Sequence, residues 1–572
     1  MKDIKHGVAF FRLIFFLIIL ISSVSCVSSS AKKDKAQAVE QLIQSRIDKQ
    51  GITGLTAAVV YGDQSIVTRG FGLRETVPEQ LPVTEHTLFQ IGSVTKIFTA
   101  IAIMQLEENG TIDLDADIRT YLPEFHPKSF GTVNKEITIR NLLTHHSGLP
   151  SAYFKDFTLE APDPDAFMDT SNMLSEEYLV WASGTVFAYN NSGFSLLGEL
   201  IGRVSGSTYE EYITDHIFTP LGMHDSLVML SSKDDPNVSG GFTRGEPEDL
   251  MWFIKDIPAG SILLSAVDMD TFLKELLNCS AGKSNRILQP ETLLSMFSLQ
   301  NMNTPLDGSF KIGLTFWIES QNGCDVFEHG GTIPPFYSEM EIIPEKGIGI
   351  FLASNDNAGD NEQLTSLTMD IADLLIGKKP SPSSPLINTE ISQETDLSNL
   401  AGYYVNGGTG IVSIENIDGV LTGRIPEMDV KSPMKILSDN SIAFGDTGLV
   451  FRPTTDTDKA VFLCYMGNYF MGPVSAVSPE PVSSVWRQRT GRYEGVGFID
   501  AVDLSFDEKM GVLTLLIESE TDGNMRFALT ELSDDLLKVQ GYGRNMGNIV
   551  EYSLSESGEI LKYGGCDFVK RN

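Results

Sequence analysis

Phe89-Gln90-Ile91-Gly92-Ser93-Val94-Thr95-Lys96 opens a helical pattern that runs to Asn109-Gly110. Ile97, Phe98, Ile101, Ala102, Met104 and Leu106 follow at near-helical spacing and predict a long amphipathic helix. Three residues apart, Ser93 and Lys96 share one face, one turn apart. A serine hydroxyl is a weak nucleophile unless a base takes its proton. Lysine can be that base only when neutral, which means lowering its pKa from about 10.4 to near 7, at a cost of roughly 4 kcal/mol. Alone, S-x-x-K is a weak signal, and the chain also has Ser29/Lys32, Ser30/Lys33, Ser280/Lys283 and Ser432/Lys435. Only Ser93 begins a long apolar helical run. As a bare pattern it reads equally well as an N-cap with a solvated first-turn lysine.

Two further stretches decide between those readings. Tyr189-Asn190-Asn191 follows Gly184-Thr185-Val186-Phe187-Ala188 and precedes Ser192-Gly193-Phe194. His329-Gly330-Gly331-Thr332 follows Val326-Phe327 and leads into expected strands at Met340–Ile343 and Ile348–Leu352. Each has decoys, Tyr404-Val405-Asn406 and His146-Ser147-Gly148, so the ordered set is worth more than any member. In order and approximate spacing the three stretches form an S-x-x-K, Y-x-N and H-x-G triplet. On these residues the chain resembles the serine β-lactamase-like hydrolases, a group that includes class C β-lactamases, D-aminopeptidases, DD-peptidases and esterases. Thr138-Ile139-Arg140-Asn141-Leu142-Leu143-Thr144-His145-His146-Ser147-Gly148-Leu149 and Pro258-Ala259-Gly260-Ser261 extend the resemblance, which covers about residues 37–377.

The resemblance implies an α/β (α+β) fold, with an antiparallel sheet flanked by helices and a mostly helical subdomain between about 96 and 315. It implies Ser93 as nucleophile, Lys96 as base and Tyr189 as proton relay to the leaving group. Asn191 would orient Lys96 and donate to a substrate carbonyl, and the Ser93 and Thr332 N–H groups would hold the oxyanion. His329 and Gly331 complete the implied substrate-binding set, with glycine letting a substrate backbone lie against the strand edge. No metal or organic cofactor is implied. His145 and His146 are read as structural parts of a connection.

Departures from the family pattern shift the expected substrate. His329 stands where true β-lactamases usually carry lysine, and a neutral imidazole holds an anion poorly. That favours a peptidase or esterase acting on a small molecule or peptide, cell-wall peptides among them. A genuine β-lactamase is one alternative. A penicillin-binding or cell-envelope binding protein without turnover is the other. Ser183, Asn190 and Pro335 also depart from the common pattern.

Lys2, Lys5, His6 and Arg12 flank or interrupt an apolar stretch from Val8 to Ile21 that reads as a secretory signal. Ser23-Val24-Ser25-Cys26 resembles a lipobox, so Cys26 is a candidate lipidation site, and simple secretion stays open. The expectation is a secreted, periplasmic or outer-surface protein. The formal net charge of −34 argues against nucleic acid or an anionic membrane surface as partner. Cys279, Cys324, Cys464 and Cys566 show no metal-ligand spacing, and no disulfide can be paired from the sequence. Oligomeric state is not legible.

The expected organisation is a signal over 1–26, a tether over 27–37 and a hydrolase domain over 38–377. A Pro/Ser-rich linker follows over 378–396, including Pro380, Pro382 and Pro385. Short alternating segments after it predict an all-β region. Leu400-Ala401-Gly402-Tyr403-Tyr404 is echoed by Arg489-Thr490-Gly491-Arg492-Tyr493. Such openings resemble the lipocalin-like modules that trail these peptidases. The echo favours two β units, 397–480 and 487–572, over one lipocalin-like domain at 397–572. The region reads as a substrate gate or oligomer contact on one view and as a packing module on the other.

Overall fold

The computed structural model describes residues 33–130, 136–151, 153–232, 235–248, 253–379, 400–437, 441–445, 447–454, 460–466, 469–495, 497–519, 523–556 and 558–571. The expected signal, Cys26 and nearly all of the Pro/Ser-rich linker lie outside the described residues. Residues 33–50 are helical, so a helix begins inside the stretch expected as a tether. Among the described residues no helix is long and apolar enough to cross a membrane.

The hydrolase-like region is built on a seven-stranded sheet. Its order is Leu81–Pro82, Gln64–Glu75, Gly54–Tyr61, Ile348–Ser354, Phe336–Ile343, Cys324–Ile333 and Trp317–Gln321. All its pairings are antiparallel. The N-terminal strands therefore close against strands from far along the chain, with Thr56 opposite Ala353. Strand Gly54–Tyr61 shows why both faces are covered. Leu55, Ala57 and Val59 pack with Val39, Ile43 and Leu367 from helices 33–50 and Asn361–Leu375. Ala58 and Val60, pointing the other way, join the large core with Phe98, Phe272 and Leu273.

The helix expected after Ser93 spans Thr95–Glu108. It differs from the expected amphipathic helix in being buried on every side from Thr95 to Met104. Sandwiched between sheet and helical subdomain, it has no solvent face until Gln105. Ser93 itself sits in the 3-10 turn Gly92–Val94 just before that helix.

Residues 402–476 and 491–570 form two closed, eight-stranded, antiparallel barrels. The sequence echo marks the same joint in each. Tyr404 OH donates to Leu400 O at 2.8 Å, and Tyr493 OH donates to Arg489 O at 2.6 Å. Both rings are buried near the start of their first strands, Gly402–Asn406 and Gly491–Glu494. Leu421, Phe444, Phe451 and Phe462 fill the first barrel and Leu504, Leu515, Phe527 and Phe568 the second. Cys279, Cys324, Cys464 and Cys566 are free thiols.

Both barrels dock on the hydrolase-like region. The first presents Phe470, which stacks on Phe310 at 5.0 Å, and Tyr465, whose hydroxyl lies 2.7 Å from Ser309 Oγ. The second stacks Tyr542 on Trp181 and Phe498 on Phe154. It also pairs Lys562 with Glu177 at 2.9 Å and accepts the Phe154 N–H on Gly564 O at 2.7 Å.

Candidate functional site

The three motifs meet at Lys96. Its Nζ lies 3.1 Å from Ser93 Oγ, 2.8 Å from Asn191 Oδ1 and 2.8 Å from Ala259 O. The same atom is 4.8 Å from the centre of the Tyr189 ring. Lys96 has no exposed surface. Burial pushes its pKa well below the ordinary lysine value; Asp256 opposes that shift and Arg544 adds to it. A neutral amine has two N–H groups and one lone pair. The carbonyls of Asn191 and Ala259 accept the two N–H groups, which leaves the lone pair for the Ser93 hydroxyl.

Local structure holds each part. Asn191 is the first residue of helix Asn191–Ser205, and the preceding Asn190 caps it, accepting from Gly193 N at 2.8 Å. The Asn190 amide also donates to Pro150 O at 2.8 Å, so this departure from the usual serine keeps a cap and gains an anchor. Ala259 belongs to the turn Ile257–Gly260, supplied by the second connecting motif. Thr99 Oγ1 donates to Pro258 O at 2.6 Å and ties that turn to the Ser93 helix.

The strand carrying His329-Gly330-Gly331-Thr332 packs directly on the Ser93 turn. A Cβ on Gly331 would meet Ile91 O at 2.0 Å, and one on Gly92, at φ +51°, would meet Thr332 N at 2.6 Å. Only glycine allows that approach, which sets the Thr332 backbone beside the Ser93 turn. Ser338 Oγ donates to Ile91 O at 2.7 Å across the same seam. Asn361 donates to Gly331 O at 3.2 Å and to Ser338 O at 3.0 Å, and accepts from the Thr332 hydroxyl. Thr332 is exposed at this edge.

His329 behaves differently from its neighbours. Its ring is fully buried and stacks on Trp317 at 5.0 Å, with the Tyr189 ring 6.2 Å away. Nδ1 lies 2.6 Å from Gly330 O. Burial, with Lys96 beside it, pushes its pKa down to about 3, so the imidazole is neutral. It backs the site rather than facing an incoming anion.

Several contributors were not singled out by sequence reasoning. Asp307 is buried and accepts from Phe187 N at 2.8 Å and from Asn301 Nδ2 at 2.6 Å, with His146 Nε2 at 2.8 Å. His145 Nδ1 accepts from Asn190 N at 3.1 Å, and its ring lies 4.4 Å from that of Tyr189. Both histidines thus buttress the Tyr189 segment, consistent with the structural roles expected of them. Arg544, from the second barrel, brings its guanidinium carbon to 5.4 Å from the centre of the Tyr189 ring. Three of the decoys stay apart. Ser432 lies on a strand of the first barrel, Asn406 is engaged with the carbonyls of that barrel, and Ser280 ends a helix of the hydrolase-like region.

The chain is similar to known proteins in sequence and in fold. The family model described as Beta-lactamase matches residues 39–373. Beta-lactamase-like protein 4 of Dictyostelium discoideum is 28% identical over 364 residues, covering 58% of this chain and 62% of that protein. Beta-lactamase-like protein 2 of the same organism is 27% identical over 458 residues, covering 73% of this chain and 81% of that protein. The solved structure of the octameric penicillin-binding protein homologue from Pyrococcus abyssi is 22% identical. It covers 93% of this chain and 99% of its own, with a TM-score of 0.52. The chain therefore spans somewhat under two thirds of the first of these relatives and nearly the full length of the archaeal fold neighbour.

Proposed function

Since this chain belongs to the β-lactamase family, we propose that it is a serine hydrolase that cleaves an amide or ester through an acyl-enzyme on Ser93. One observation carries the reading. Lys96 is fully buried, 3.1 Å from Ser93 Oγ, and both N–H groups of its neutral amine have carbonyl acceptors. A lysine so placed is a base aimed at one hydroxyl.

Ser93 Oγ attacks the acyl carbon as its proton passes to Lys96 Nζ. The oxyanion is held by the Ser93 and Thr332 N–H groups, and losing one such donor costs about 3 kcal/mol in the barrier. The bond to the leaving group then breaks. Tyr189 delivers to that group the proton Lys96 took up. Water next attacks the ester on Ser93, giving a proton to the Tyr189–Lys96 pair. The Oγ–acyl bond breaks, the serine is reprotonated and the acid departs. Asn191 keeps Lys96 oriented throughout. The apolar stretch from Val8 to Ile21 supports a secreted, periplasmic or outer-surface location, with Cys26 as a candidate lipid attachment point beside simple secretion.

The test is p-nitrophenyl butyrate hydrolysis by the wild-type chain, Ser93→Ala and Lys96→Ala. An activated ester asks little of the pocket, so it reports the nucleophile and its base. Both variants should lose at least about 100-fold. Equal rates in all three would remove Ser93 from the mechanism.

A further inference from the structure

The second barrel inserts one loop, residues 540–548, between the first barrel and the hydrolase-like region. It joins strands Leu536–Val539 and Ile549–Ser555. Its tip puts the Arg544 guanidinium over the Tyr189 ring. We propose that Arg544 is an anion anchor that selects substrates carrying a carboxylate on the leaving-group side of the scissile bond. The proposal rests on the serine hydrolase reading, in which Tyr189 protonates the leaving group; the cation beside that phenol is then beside the leaving group.

The loop is built to hold its position. Asn545 N donates to Ser151 Oγ at 2.7 Å, and Asn545 Nδ2 donates to Gly407 O at 3.1 Å. A Cβ on Gly407 would lie 1.7 Å from Arg544 O, so that residue must be glycine for the loop to seat. Gly547, at φ +72°, lets the chain pass Trp181, where a Cβ would lie 2.6 Å from the indole. Contacts with Ser151, Trp181 and Gly407 thus fix one backbone segment, and the side chain it presents is arginine.

That side chain is exposed, and among the described residues it makes no ion pair. The chain has 76 Asp and Glu against 42 Lys and Arg, so carboxylates are not scarce. A guanidinium stays charged at any working pH and offers a planar fork that matches a carboxylate in two hydrogen bonds. Neither nearby base competes for that role. Lys96 is buried with its pKa driven down, and His329 is buried and neutral. Arg544 therefore supplies the fixed positive charge that the third motif lacks. Its proximity also disfavours protonation of Lys96, so one residue serves both recognition and the base.

The experiment compares two butyrate esters, one of 3-hydroxybenzoate and one of 3-hydroxybenzamide. They share an acyl group and differ in one charge on the leaving group. The readout is the ratio of their kcat/KM values in the full chain with Arg544, Arg544→Ala, Arg544→Lys and Arg544→Glu. The acid-to-amide ratio should fall about 10- to 100-fold in Arg544→Ala. It should be partly restored by lysine and driven lower still by glutamate. An unchanged ratio in Arg544→Ala overturns the proposal. In parallel, 3-hydroxybenzoate binding to Ser93→Ala and to Ser93→Ala/Arg544→Ala is measured by calorimetry. Binding lost with Arg544 supports the anchor; equal binding, or none to either, counts against it. A Ser93→Ala chain that hydrolyses both esters at the wild-type rate instead overturns the serine reading, and the calorimetry then judges the anchor by itself.

Discussion

Two basic side chains approach the Tyr189 ring, and they reach it by opposite routes. Lys96 is one helical turn from Ser93, has no exposed surface and is held by Asn191 and Ala259. Arg544 comes from a separate barrel, is exposed, and is held in place through its loop neighbour Asn545. The first arrangement removes a charge so that a base can work. The second preserves a charge so that a substrate can be chosen. Chemistry here is set by burial within one region, and selectivity by docking between regions.

The largest expected effect falls on the inner side of this division. Asp307 receives donors from Phe187, His146 and Asn301 inside the core, so removing it leaves several buried polar groups without an acceptor. Asp307→Ala should lower unfolding free energy by about 3 kcal/mol in a denaturant titration. The Phe187 backbone leads directly to Tyr189, so turnover of acidic and neutral esters should fall together. A variant that lost only acid selectivity would break the comparison, because it would tie the Asp307 network to recognition instead of to proton transfer.

A smaller effect should come from the outer side. Gly547→Val places a branched side chain at φ +72° and against Trp181. Positive φ alone costs about 1–2 kcal/mol for such a residue. The loop should relieve the clash by withdrawing, taking Arg544 with it. The acid-to-amide ratio of the ester pair should then drop toward that of Arg544→Ala. If the ratio holds while stability falls, the loop is a packing element and Arg544 reaches the site by another route.

The same division explains what could be read from sequence. Ser93, Lys96, Tyr189 and Asn191 lie in short motifs whose spacing implies a shared site, and the structure brings them together. Strand Ile348–Ser354 is legible, as Ile348–Leu352, because every residue in it is apolar or small. Strand Phe336–Ile343 was expected only from Met340 onward. Ser338 and Glu339 disguise its first half as a loop, yet both are buried, and burial raises the Glu339 pKa to about 8. The paired tyrosine joints at 404 and 493 were visible as an echo because a local hydrogen bond four residues back repeats with the sequence. Arg544 was invisible. Nothing near Gly541-Tyr542-Gly543 marks a site, and its position depends on Ser151, Gly407 and Trp181, which no local pattern connects. Position 329 holds a buried, neutral histidine, whereas the proposed positive charge comes from position 544.

The last test separates burial of Lys96 from its hydrogen bonds by varying pH. Its folded-state pKa is depressed, so between that value and the unfolded value near 10.4 the unfolded chain holds a proton that the native chain lacks. Stability rises with pH wherever the unfolded state binds more protons. Wild type should therefore gain stability relative to Lys96→Met as pH climbs from the depressed folded-state pKa toward about 10, by up to about 1.4 kcal/mol per pH unit. Hydrogen bonds from Nζ to Asn191 and Ala259 contribute a constant offset and leave that slope alone. Thermal or denaturant midpoints of the two chains, measured in parallel across this range, read the slope directly. A flat difference would mean that Lys96 stays protonated in the folded state. The lone pair directed at Ser93 would then be absent, and the distinction between an uncharged inner lysine and a charged outer arginine would collapse.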